Sequence, residues 1–126
     1  MNPHDAAHAL ARALRESEEF KTLKELQDKL KGEETARNML LDFRRQQFEL
    51  QKQKLSGVEV SSEQEEKLEK LFEVINMNTT VKNFLEAEYR AAILLQDVQK
   101  IIGEATESII DTELTPLGEE LEEEKE

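Results

Sequence analysis

Two histidines stand four residues apart in His4-Asp5-Ala6-Ala7-His8. On a helix that spacing puts both imidazoles on one face, where they could grip a divalent cation. Asp5 occupies the place of the general base in a His-Glu-x-x-His site. A zinc site needs at least three protein ligands. The chain has 2 His and no Cys, and no particular carboxylate is marked out as the third ligand. No metal site is expected. The lack of Cys also removes disulfides, thiol nucleophiles, zinc–thiolate centres and cysteine-held iron–sulfur clusters.

A second group is Glu86, Glu88 and Tyr89, set in the most apolar stretch of the chain. Glu88 falls on the apolar seam itself. It is either a general acid or a carboxylate that pairs with an arginine and fixes the register of an assembly. There is no phosphate loop, nucleophile elbow or paired-carboxylate motif to go with it. The structural reading is therefore preferred, no catalytic or cofactor-binding residue is assigned, and no enzymatic activity is expected.

The third group is basic. Arg37, Arg44, Arg45, Lys52 and Lys54 face only Asp42 and Glu49 between positions 37 and 54. Arg37, Arg44, Arg45 and Lys52 form a candidate contact face for phosphates or an acidic partner, such as an acidic tail. The alternative is a salt network within or between chains. RNA recognition asks for a denser basic surface with exposed aromatic rings, and the chain's net charge is −12. Direct nucleic-acid binding is disfavoured.

The elements that must carry these residues are helices. Of the 126 residues, 37% are apolar and 37% charged, against roughly 45–50% and 25% in average globular chains. So few apolar residues suit long helices that share a core between chains. Residues 104–126 hold ten of the acidic groups and one Lys, so most of the net charge of −12 lies there. Met1-Asn2-Pro3-His4-Asp5 has neither the basic start nor the apolar run of a signal peptide. The charge-free apolar run Ala91-Ala92-Ile93-Leu94-Leu95 is far short of the ~20 residues that span a bilayer. A cytoplasmic location with no membrane contact is expected.

Apolar spacing of three and four predicts the helices. The first spans about 2–15, with Pro3 in its first turn and Ala7, Leu10 and Leu14 in a stripe. Ser17 can cap a second helix to about Leu30, or the two can form one kinked helix. Lys31-Gly32 ends it. The third helix spans about 33–56 and carries two stripes: Ala36, Met39, Leu40, Phe43, Gln47 and Leu50, then Leu41, Phe48 and Leu55 seven residues apart. Two stripes imply two partners. Ser61 or Ser62 caps a fourth helix through a capping box, with Leu68, Leu71, Phe72 and Ile75 on its apolar face. Asn76-Met77-Asn78 interrupts the pattern, and Asn78 or Thr79 caps a fifth helix of about 80–110. Its stripe is Val81, Phe84, Leu85, Glu88, Ala92, Leu95, Val98, Ile102, Ala105 and Ile109. Nothing reads as a strand or an internal repeat.

Two stretches, Ala11-Arg12-Ala13-Leu14-Arg15-Glu16-Ser17-Glu18-Glu19-Phe20 and Asn76-Met77-Asn78-Thr79-Thr80-Val81-Lys82-Asn83-Phe84-Leu85-Glu86-Ala87-Glu88, carry a family likeness. Together with Asp42-Phe43-Arg44 and the helix order, they resemble the YlbF/YmcA superfamily of Firmicutes, most nearly its YheA-type branch, over about residues 2–110. The resemblance implies an all-helical, oligomeric, cytoplasmic protein. YlbF and YmcA themselves join a third protein in a complex that carries iron–sulfur clusters on cysteines and is linked to RNase Y, competence, biofilm and sporulation control. With no Cys here, that cofactor transfers to no position, and membership of that same complex is in doubt.

The expected fold is all-α: an antiparallel bundle of four to five helices with a long C-terminal helix, oligomerising through shared helical faces. Residues 1–112 form the helical domain and 113–126 an acidic, disordered tail. The expected function is a non-enzymatic protein-interaction module without cofactor. Its partners are further copies of itself, as dimer or tetramer, and another cytoplasmic protein. The interface residues are Phe43, Phe48, Leu85, Leu95, Val98 and Ile102. The alternative is an accessory subunit that contacts RNA or an RNase Y-type complex.

Overall fold

The computed structural model describes residues 1–115. These form five helices, α1 Pro3–Glu16, α2 Glu18–Lys31, α3 Glu34–Leu55, α4 Ser62–Asn76 and α5 Thr79–Glu107, with no strand among the described residues. The fold is all-α. Most of the expected acidic tail, residues 116–126, lies outside the described residues.

The helix ends follow from local chemistry. Asn2 caps α1 by accepting the Asp5 N–H at 2.8 Å. Ser17 has extended backbone (φ −65°, ψ 150°), donates its hydroxyl to the Leu14 carbonyl at 2.6 Å and accepts the Phe20 N–H at 3.3 Å. One serine thus closes α1 and opens α2, which settles them as two helices. At the end of α3, Gly57 takes φ 77°, a left-handed conformation that costs glycine little. There the Val58 N–H reaches the Gln53 carbonyl at 2.9 Å and the Gly57 N–H reaches that of Lys54 at 3.3 Å, the two bonds of a Schellman stop. Ser61, not Ser62, caps α4, in a capping box with Gln64. Asn78 caps α5, accepting the Val81 N–H at 3.0 Å.

The chain divides into two compact units, Met1–Ala91 and the residues from Ala92 onward. In the first unit, Leu30, Ala36, Leu40, Phe43, Ile75 and Val81 form the core, with Met39, Leu68, Leu71, Phe84 and Leu85 packed against it. The Phe43 and Phe72 rings lie 5.5 Å apart, and Lys54 approaches Glu65 at 4.0 Å near the connecting turn. As the chain descends α3 it therefore climbs α4, and the two are antiparallel. Thr80 donates to Glu33 at 3.1 Å, and Arg44 bonds Glu88, so the first turns of α5 run parallel to α3. This up-down-up path is the expected bundle. In the second unit, α5 continues through Ile93, Leu95, Ile101 and Ile102, which are exposed, as are Ile109 and Leu114 beyond its end.

Candidate interaction site

Helix α3 separates its two apolar stripes. Ala36, Leu40 and Phe43 are buried, whereas Leu41, Phe48 and Leu55 are exposed at 52%, 64% and 84%. Phe43 and Phe48 were both expected at an interface. The structure corrects the first: Phe43 is 6% exposed in its own chain's core beside Phe72, so it offers a partner little surface. Leu85 is likewise packed against that core and half-buried. Val98 is half-buried, while Leu95 and Ile102 are exposed.

The basic residues do not form one free cluster. Arg37 donates to the Lys31 carbonyl at 3.5 Å and so serves the C-terminal end of α2. Arg44 is paired with Glu88, both half-exposed. That pair gives the seam carboxylate an arginine partner within its own chain. Arg45 stands 3.9 Å from Asp42 but is largely in water. Lys52 is exposed on the outer side of α3 and belongs to no ion pair among the described residues. On a helix, positions 41, 45, 48, 52 and 55 share one side. The outer face of α3 thus reads Leu41, Arg45, Phe48, Lys52, Leu55. The second apolar stripe and two of the basic residues interleave on this side, and their positions modulo the helical repeat are the sequence signal that joins them.

Other clefts offer less chemistry. An open cleft of about 500 Å³ between α2 and the first part of α5 is lined by Glu18, Glu19, Glu25, Lys29, Glu86 and Arg90 over Leu26 and Ala87. Another of about 420 Å³ lies beside Phe43, Phe72, Leu85 and Tyr89. Glu86 lines both clefts and Tyr89 the second. His4 and His8 are exposed on α1. Among the described residues no group of three His, Cys, Asp or Glu side chains could hold a metal ion, and no helix is long and apolar enough to cross a membrane.

The comparisons with known proteins point one way. A family model described as "Control of competence regulator ComK, YlbF/YmcA" matches residues 4–107. A UPF0342 protein of Symbiobacterium thermophilum is 45% identical over 82% of this chain and 93% of its own length. A UPF0342 protein of Halothermothrix orenii is 42% identical over 79% and 84%. Among solved structures, a "Protein of Unknown Function (DUF964)" from Bacillus stearothermophilus superposes with a TM-score of 0.74 at 25% identity, covering 84% of this chain and 93% of that one.

Proposed function

The chain belongs to the YlbF/YmcA family, and from that premise we propose that it is a non-enzymatic, homo-oligomeric interaction module, a cytoplasmic regulator or adaptor of the YheA-type branch. The observation that carries this reading is the distal part of α5. Leu94, Leu95, Val98, Ile102, Ala105 and Ile109 follow one another at spacings of one to four along one neutral side of the chain, with Leu95 39%, Ile102 53% and Ile109 83% exposed. Water contact costs such a surface about 25 cal/mol per Å², and a second copy presenting the same surface removes it on both sides at once. The family description, control of a competence regulator, supports a regulatory role.

Sedimentation velocity at micromolar concentration tests it. The parent chain is expected at dimer or tetramer mass, and Leu95→Asp at monomer mass with its helical content retained. A parent chain that sediments as a monomer rejects the reading.

A second reading is an accessory subunit that touches RNA or an RNase Y-type complex through α3. It is favoured by Phe48, 64% exposed between Arg45 and Lys52, since bases stack on aromatic rings flanked by cations.

A further inference from the structure

We propose that the outer face of α3, Leu41, Arg45, Phe48, Lys52 and Leu55, docks an acidic amphipathic helix of another protein. This rests on the reading of the chain as an interaction module and assigns it a second surface, separate from the copy-to-copy face on α5.

The face has the pattern of a helix seat. Its apolar members repeat every seven residues and all are exposed. That is the repeat at which a second helix, laid alongside, returns to the same side. Three large apolar side chains on one exposed side are a row that a lone soluble chain has little reason to keep, and Arg45 and Lys52 sit between them in the intervals.

The charges choose the occupant. Arg37 and Arg44 are already engaged, by the Lys31 carbonyl and by Glu88. The exposed cations along the row are Lys52 and Arg45, the latter 3.9 Å from Asp42 but 74% exposed, with Glu34 at the start of the row and Glu49 on one flank. A second copy docked by a two-fold axis near Phe48 would set Leu41 against Leu55, which suits packing. It would also bring Arg45 beside the Lys52 of that copy, and like charges facing each other across an interface are costly. The distal α5 face has no such conflict, because every member is neutral. Two outward cations and one ring offer a polyanion fewer contacts than a helix would find here, and the chain's net charge of −12 works against it. A helix with apolar residues at seven-residue spacing and Asp or Glu between them meets both requirements of the row. Its attraction acts at contact range, within the ~8 Å beyond which physiological salt screens the chain's own negative charge.

The test uses the full chain and a fluorescein-labelled helical peptide of three heptads, with Leu at the first position and Glu at the fifth of each, followed by fluorescence anisotropy. A twin peptide with Lys for Glu, a single-stranded RNA and vesicles containing phosphatidylglycerol serve as rivals. The Glu peptide is expected to bind and the Lys twin not. Arg45→Glu combined with Lys52→Glu should weaken the Glu peptide about tenfold or more, and Phe48→Ala should weaken it as well, with sedimentation mass and melting temperature unchanged in both variants. The proposal is overturned by absence of binding, by equal binding of the two peptides, by tighter binding of RNA or vesicles, or by a change of oligomer mass in the α3 variants. Leu95→Asp separates the two surfaces: if it leaves the mass unchanged while the peptide still binds, the self-association reading fails and the α3 surface stands.

Discussion

Along α5, Thr80, Phe84, Ala87 and Ala91 follow one another at spacings of three and four, and so do Leu95, Val98, Ile102, Ala105 and, just past the helix end, Ile109. The first set is enclosed: Thr80, Ala87 and Ala91 are at 6%, 5% and 3% exposure, and Phe84 packs on the core. In the second set Leu95, Ile102 and Ile109 stand in water. The same rhythm therefore has two outcomes within one helix. Periodicity identifies a face that water disfavours, but it does not say whether the cover comes from the same chain.

The largest effect should come from putting a charge into each half. Val81 is fully buried, and Val81→Asp should cost about 4 kcal/mol or more, since it strands a carboxylate in an apolar core. Ile102→Asp should move the unfolding free energy of dilute, dissociated protein by only about 0.5 kcal/mol, yet remove the dependence of melting temperature on protein concentration. Urea unfolding of both variants, with melting curves at two protein concentrations, checks the contrast. Equal destabilisation would show that the distal half is as fully covered within its own chain as the proximal half. A smaller effect is expected at Glu88→Gln, which takes the charge from the Arg44 pair. Both groups are about two-fifths exposed and so screened, and the loss should be about 0.2–1 kcal/mol, read by chemical denaturation. The smallest belongs to truncation after Leu117. From Gly118 onward the sequence has Leu121 as its one apolar residue among six acidic groups, too little apolar surface to offset the entropy of ordering. The melting temperature should stay nearly unchanged, and a drop of many degrees would show that this segment belongs to the folded domain.

What the sequence made legible was mostly local. Ser17, Ser61 with Gln64, and Gly57 specify helix ends through bonds within a few residues, and each stands where its chemistry placed it. The one adjustment is at the far end, where α5 closes at Glu107 and not near 110. The two stripes of α3 were also legible, but not which of them turned inward. Phe43 and Phe48 have the same intrinsic apolarity; the cations beside Phe48, Arg45 and Lys52, were the signal that this side faces water. An arginine partner for Glu88 was expected from the cost of leaving a carboxylate on an apolar seam. Its identity as Arg44 depends on the parallel register of α3 and α5, a relation between residues 44 positions apart that no local rule encodes.

The turn between α3 and α4 has a kinetic consequence. Its Schellman stop at Gly57 and the capping box at Ser61 lie four residues apart, so the chain reverses direction within the short stretch between Leu55 and Ser62. The entropy lost in bringing two segments together grows with the length between them, and a connection this short keeps that loss small. Contacts such as Lys54 to Glu65 form early, and Phe43 to Phe72 follow as the hairpin zips away from the turn. Low sequence separation of contacts goes with fast folding. The α3–α4 hairpin, which includes Ile75, can thus close on local contacts alone, whereas Val81 on α5 completes the same core from outside it.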